Sequence, residues 1–248
     1  MVINLSTKKI VVKIGGSILF DDHGRIEDQK IKKYASMIHQ LVESKFEVCV
    51  VIGGGKPTRN IRDRLMHLTN SELDHISIKM TQVNALIFSF TLSRFMKTKF
   101  IENYEELFQD RVRYGHSDKV IVLGGLIPGQ STNAVAALAC ELLDCNLLIN
   151  ISSFDKIMIR DHDNVRVGET VDFMTYDELW GEIKNFNQTP SNYDLFDHNA
   201  FSIVKRSNIP ILFLSQHKDL SKILNDKKYD YSLSTDNCEG TIVWSREN

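Results

Sequence analysis

The sequence predicts an α/β protein with helices on both faces of a mostly parallel central sheet. Three observations carry that expectation. Short β-branched runs recur along the chain, the segments between them have helical period, and the runs are nearly continuously apolar rather than alternating. Strands with this pattern are buried on both faces, which only covering helices can achieve.

Lys9–Ile14 (KIVVKI), Phe46–Ile52 (FEVCVVI), Lys119–Leu123 (KVIVL), Asn146–Ile151 (NLLINI) and Pro210–Leu214 (PILFL) read as the strands. Between the first two, Glu27–Lys45 places Ile31, Tyr34, Ile38 and Leu41 at helical spacing. Ser71–Lys97 repeats the rhythm with Ile76, Met80, Val83 and Ile87 and predicts a long helix. Thr132–Leu143 is rich in Ala and Leu behind a Thr/Asn start, the signature of a capped helix directly after a loop. Ala200–Arg206 predicts one more helix, just before the fifth strand. Residues 162–192 are polar and carry Gly, Asn and Pro, with one short helical stretch at Tyr176–Ile183; they read as a surface excursion or as part of a ligand-side subdomain. No repeat or low-complexity linker interrupts the 248 residues, so one continuous domain with two functional halves is expected, about 1–145 and 146–248.

A chain of this length should bury roughly 70–75% of its unfolded surface and needs neither disulfides nor metal to hold a core. With 42% hydrophobic and 25% charged residues, disorder is excluded. Thirty basic against 32 acidic side chains give a net charge of −2, so no overall basic field recruits nucleic acid or an anionic membrane. Cys49, Cys140, Cys145 and Cys238 form no C-x-x-C pair and read as buried reduced thiols. The stretch MVINLSTKK runs straight into a strand, and no apolar run approaches the ~20 residues needed to cross a bilayer, so a cytoplasmic protein is expected.

Three glycine-rich loops each follow a strand. The first holds Gly15, Gly16 and Ser17; the second holds Gly53, Gly54, Gly55, Lys56 and Arg59; the third holds Gly124, Gly125 and Gly129. In an open α/β sheet, ligands bind beyond the carboxyl ends of the strands. Glycine there admits close backbone approach to phosphate, and helix N-termini offer free N–H groups to anions. Lys13, Lys56 and Arg59 could add side-chain positive charge. Any one loop alone is most often just a turn, Lys13 alone could be a strand residue whose head snorkels, and Arg59 alone a surface charge. Three loops after three strands point to two phosphate-bearing ligands meeting end to end, without naming them. None fits G-x-G-x-x-G or G-x-x-x-x-G-K-[ST], which disfavours a dinucleotide fold and a P-loop. The histidines form no H-E-x-x-H pattern, and G-x-S-x-G is absent.

Together, KIGGS at residues 13–17, GGGK-x-x-R at 53–59, Gly124-Gly125-x-x-Pro128-Gly129-x-Ser131-Thr132 before an Ala-rich helix, and NLLINI followed by Asp155 resemble the amino acid kinase superfamily. The closest resemblance is to its archaeal-type uridylate (UMP) kinase branch, from Lys9 to about Val243. It implies a three-layer αβα sandwich around a mostly parallel central sheet, transfer of the γ-phosphoryl group of ATP with Mg²⁺, a nucleotide acceptor, most simply UMP, and assembly into a homo-oligomer, a dimer or hexamer. Carried over residue by residue, it implies that Lys13, Gly15, Gly16 and Ser17 hold the transferring phosphoryl group. Gly54, Gly55 and Arg59 would grip the acceptor phosphate, Asp74 the ribose, and Gly125, Ser131 and Thr132 the uridine side. Ser153, Asp155, Met158 and Asp161 would lie along the ATP, and Gly240–Thr241 match the C-terminal GT of the pattern.

Two departures accompany these matches. Asn133 stands where the pattern has Asp, which keeps shape and hydrogen bonding but removes a negative charge. Phe154–Met158 (FDKIM) stands where the pattern has V-D-G-V-Y, so Lys156 replaces a glycine and Met158 an aromatic ring. They open two alternatives: a weakly active or inactive paralogue that binds a nucleotide or oxyanion, and a kinase for another acceptor such as isopentenyl phosphate.

Overall fold

The computed structural model describes residues 2–4, 7–21, 23–111, 119–153, 156–160, 166–184, 195–225, 232–234 and 239–245. Along the chain the strands are β1 (Val2–Asn4), β2 (Lys9–Ile14), β3 (Glu47–Ile52), β4 (Thr98–Ile101), β5 (Val120–Leu123), β6 (Leu147–Ser152), β7 (Met158–Arg160), β8 (Arg166–Thr170), β9 (Phe173–Met174), β10 (Ile211–Ser215), β11 (Ser232–Ser234) and β12 (Thr241–Val243). The helices are α1 (Asp28–Glu43), α2 (Gly55–Arg64), α3 (Asn70–Leu92), α4 (Tyr104–Asp110), α5 (Thr132–Leu142), α6 (Tyr176–Ile183), α7 (His198–Arg206) and α8 (Leu220–Asn225).

Eight strands form one sheet in the order β4-β5-β3-β2-β6-β10-β12-β9. The first six run parallel; β12 pairs antiparallel to β10, and β9 runs parallel to β12. The expected five strands are all present, each within one residue of its predicted bounds at either end. Alternate residues of the same strand feed two separate cores. Ile10, Val12 and Ile14 of β2 pack with Ile31 and Ile38 of α1, Phe88 of α3 and Leu220 of α8, whereas Val11 packs with Ala134–Ala137 of α5 and Val204 of α7. The sheet is therefore the middle layer of an αβα sandwich, as the continuous apolar runs required.

Differences from the expectation have local causes. The long helix ends at Leu92 rather than Lys97, and the chain then turns into the edge strand β4. That strand is four residues long and mostly half-buried, so its TKFI offers no apolar run to read. At its other end α3 begins at Asn70, not Ser71, behind Thr69, whose hydroxyl accepts from Glu72 N–H while Glu72 accepts from Thr69 N–H, a reciprocal cap one residue before the helix. Within the excursion, the structure adds β8 and β9 to α6, which lies at Tyr176–Ile183 as predicted.

This topology fixes where a ligand can sit. From β2 the chain crosses through α1 to β3 on one side, while α5 returns it from β5 to β6 on the other side and the opposite face. The strand order thus reverses around β2, and the crevice above the carboxyl ends of β2, β3, β5 and β6 is the switch point where such sheets bind ligands.

Candidate active site

The crevice is a cleft of about 770 Å³, lined by all three glycine loops. The first two loops are packed backbone to backbone. A methyl group on Gly16 would lie 2.3 Å from Gly55 N and 2.4 Å from Gly53 O, and Gly55 itself has φ +72°. Only glycine satisfies both demands. Its use here is therefore loop-to-loop packing as much as the phosphate approach expected from sequence. From α3, Asn84 Nδ2 donates to the carbonyls of Gly53 (3.0 Å) and Gly54 (3.2 Å), which ties the second loop down. The third loop is fixed by the same helix: Gly125 N–H donates to Thr81 Oγ1 (2.7 Å), and Gln82 Nε2 donates to Gly125 O (3.1 Å).

Lys13, Gly15, Gly16, Ser17, Gly54, Gly55, Arg59, Asp74, Gly125, Ser131, Thr132, Asn133 and Ser153 all line this cleft. Of the other residues named, Gly124, Gly240 and Thr241 lie outside the lining, as do Lys56 and Met158. Lys56 lies in the first turn of α2, where Gly55, Thr58, Arg59 and Arg62 share the cleft-facing side at spacings of three, four and seven; Lys56 is rotated away from that row. Met158 stands on β7, paired with Thr170 of β8, 38% exposed and outside the lining. Asp155 and Asp161 lie outside the described residues.

Asp74 is already engaged at the mouth. It accepts from Gly129 N–H (2.8 Å) and stands 4.0 Å from an Arg62 guanidinium nitrogen, so it holds the third loop closed against α2. Arg62 is a cation that the sequence reading passed over. With Lys13, Lys30 and Arg59 it brings four cations to the lining against two carboxylates, Asp74 and Asp197, a balance suited to an anionic occupant.

Lys13 enters from the last turn-ward residues of β2, on the face that α5 covers. One side of it opens to the cleft, but burial on the others pushes its ammonium down to about 8, and the Asp197 carboxylate works in the opposite direction. Asp197 is 2% exposed and caps α7, accepting from Ala200 N–H (3.0 Å). It also accepts from the hydroxyl of Ser131, and Ser131 in turn caps α5, accepting from Asn133 N–H and Ala134 N–H (both 3.0 Å). Two helix N-termini are thus yoked through one carboxylate and border the same cleft as Lys13, where their dipoles add to its charge. Asp197 was missed because the predicted helix began at Ala200; an Asp three residues before the apolar face of Ala200, Phe201, Ile203 and Val204 was the available signal. Asn150 of β6 also lines the cleft, one strand over from Lys13 and in register with it.

A fixed donor-rich cleft of this kind can hold two phosphate groups and steady the charge that moves between them. Among the described residues no cluster of three or more His, Cys, Asp or Glu could cage a metal, so a divalent ion here would be carried mainly by ligand phosphates, as Mg²⁺ commonly is. No described helix is long and apolar enough to cross a membrane.

Residues 8–215 match the model of the amino acid kinase family. A uridylate kinase of Methanobrevibacter smithii is 30% identical over 224 residues, which cover 89% of this chain and 96% of that protein. Another, from Methanocella arvoryzae, is 34% identical over 209 residues, 84% of this chain and 90% of that protein. Among solved structures, UMP kinase from Bacillus anthracis superposes with a TM-score of 0.77 at 16% identity, with 97% of each chain covered. Uridylate kinase from Archaeoglobus fulgidus does so at 0.70 and 22% identity, covering 95% of this chain and 99% of that one. At those identities the structures speak to the fold alone, and the fold agrees with the sequence match: this chain belongs to the amino acid kinase family.

Proposed function

We propose that this chain is a kinase that moves the γ-phosphoryl group of ATP onto a nucleoside monophosphate, with UMP as the acceptor and UDP and ADP as products. The observation that carries the reading is the cleft at the switch point, where Lys13 meets two glycine loops and the N-termini of α5 and α7. The names of relatives aligned over nearly their whole length supply the acceptor.

In this reading residues 1–145 form the acceptor side and 146–248 the ATP side. Arg59 and the backbone of Gly54 and Gly55 hold the acceptor phosphate, while Gly125, Ser131, Thr132 and Asp74 line the nucleoside side. Gly15, Gly16 and Ser17 border the transferring group, and Ser153, with Asp155, Met158 and Asp161, belongs to the ATP side. Mg²⁺ would supply charge neutralisation on the ATP phosphates when bound, and of the two carboxylates in the described lining Asp197, beside Lys13, is the one that could help to hold it.

An oxygen of the acceptor phosphate bonds to the γ-phosphorus as the bond from that phosphorus to the bridging oxygen of ADP breaks. Little covalent chemistry is asked of the protein. Lys13 follows the charge as it shifts to the leaving ADP, and the packed glycine loops keep the two phosphates in line.

A coupled ADP-release assay with ATP and Mg²⁺ tests the proposal, offering UMP, CMP, the purine nucleoside monophosphates and isopentenyl phosphate in parallel. Turnover that is fastest with UMP is the expected result. Turnover with isopentenyl phosphate alone replaces the acceptor; no turnover from folded protein that still binds nucleotide favours the binding-protein alternative, which the uncharged Asn133 motivates.

A further inference from the structure

Asn150 is out of keeping with its strand. Leu147, Leu148, Ile149 and Ile151 of β6 are apolar and buried, and Asn150 between them is 2% exposed. Register sets it beside Lys13 of β2 on one flank and Phe213 of β10 on the other. Partners in register on neighbouring strands project to the same face, so the Asn150 amide lies with Lys13 under the N-terminus of α5. Its Nδ2 donates to Oδ1 of Asn133 at 3.4 Å, while its own Oδ1 is buried with no partner among the described residues. A buried amide with an orphan atom is costly, and Val or Leu at this position would avoid the cost. Packing does not account for it.

What Asn150 does is orient its neighbour. Asn133 is 6% exposed, its backbone N–H is already taken by Ser131 Oγ, and its Oδ1 is held by Asn150. The atom it has left to present to the cleft is its Nδ2 amino group, a hydrogen-bond donor. Without that tie the amide could turn half a revolution about its soft terminal torsion and offer an acceptor instead, which phosphoryl oxygens would repel. We infer, resting on the phosphoryl-transfer reading above, that Asn150 is a positioning residue of the reaction: it locks Asn133 with Nδ2 toward the cleft, so that Asn133 donates to the transferring phosphoryl group. At this position the cleft then carries a neutral donor instead of a second carboxylate beside Asp197.

A double-mutant cycle separates this role from a structural one. Steady-state kinetics are measured for the unmodified chain, Asn150→Val, Asn133→Ala and the double variant, with melting temperatures alongside. Asn133→Ala removes a donor from the reacting group and should lower kcat about 100-fold. Asn150→Val should lower kcat about 10-fold through misplacement of that donor, with both KM values within about threefold. In the Asn133→Ala background Asn150→Val should change kcat less than twofold, because there is no amide left to orient. An undiminished 10-fold loss in that background, or an unchanged kcat for Asn150→Val alone, would overturn the inference. If the unmodified chain turns over no acceptor, the kinase reading fails by itself, and side-chain amide NMR decides this point instead. The Asn133 Nδ2 resonances, assigned by their loss in Asn133→Ala, should shift when a non-hydrolysable ATP analogue and UMP are added, and should stay put in Asn150→Val. Resonances that ignore the ligands in the unmodified chain, or respond equally in both, would refute it.

Discussion

Asp197→Asn removes one charge from the candidate site while keeping the side chain's shape. Asn caps helices about as well as Asp, so the bond from Ala200 N–H to Oδ1 and the start of α7 should survive, while the amide nitrogen that replaces Oδ2 faces the Ser131 hydroxyl as a donor instead of an acceptor. What changes is Lys13. Burial holds its ammonium down to about 8 with Asp197 pulling upward, so losing that carboxylate moves it lower, by about one unit for a close opposite charge. At about 8 the lysine is roughly 90% charged at pH 7 and 50% at pH 8; one unit lower, those fractions fall to roughly 50% and 10%. If the charged lysine is the active form, the variant should lose about twofold in kcat/KM at pH 7, about fivefold at pH 8 and about tenfold at pH 9. The alkaline limb of the profile, which reports the free enzyme, moves down by the same unit. A pH series of ADP release for both proteins, with circular dichroism confirming an intact fold, measures it. A loss that does not vary with pH, or a limb that moves upward, would refute the assignment of Asp197 as the partner of Lys13.

Other perturbations probe the remaining parts of the site. Arg59→Ala should raise the acceptor KM about tenfold or more with kcat changed little, since a grip made equally in ground and transition states shows in KM; initial rates over a range of acceptor concentration read it. Gly16→Ala forces a methyl into the backbone of Gly53 and Gly55 and should cost about 3 kcal/mol, seen as a melting temperature lower by about 6–12 °C. Phe88, fully buried under β3 and β5, should cost about 3–5 kcal/mol when cut to Ala without altering the alkaline limb, which chemical denaturation and the pH profile together would check. A dimer or hexamer is expected by light scattering at working concentration. On α3, Val83 and Phe90 stand 56% and 65% exposed seven residues apart, so Val83→Lys with Phe90→Lys should shift the population toward monomer.

The frame of this protein was readable because its central strands are buried on both faces. Nearly continuous apolar runs such as IVVKI and VCVVI have no other comfortable home, and the helices between them declare their buried side by period. The short elements at the sheet edges were not readable: β4 has a lysine in four residues, and β9 and β12 have two and three residues each. In the site, the glycine loops were visible as local motifs. The residues that complete it were hidden because tertiary structure alone gathers them. Asp197 reaches Lys13 from the far half of the chain, and Asn150 gave a single quiet signal, one amide inside an apolar strand. Lys56 misled for the opposite reason: adjacency in sequence to GGG placed it in the loop, but helical rotation carried it off the cleft.

The most direct test of the central claim follows the phosphorus itself. Phosphorus NMR of the unmodified chain and of Lys13→Ala, each with ATP, Mg²⁺ and UMP, would show whether the γ-phosphoryl signal becomes the terminal phosphate of UDP. The account predicts that UDP and ADP appear together in equal amounts with the unmodified chain, and at least 100-fold more slowly with Lys13→Ala. Equal rates for the two proteins, or ATP loss that yields only inorganic phosphate, would contradict it.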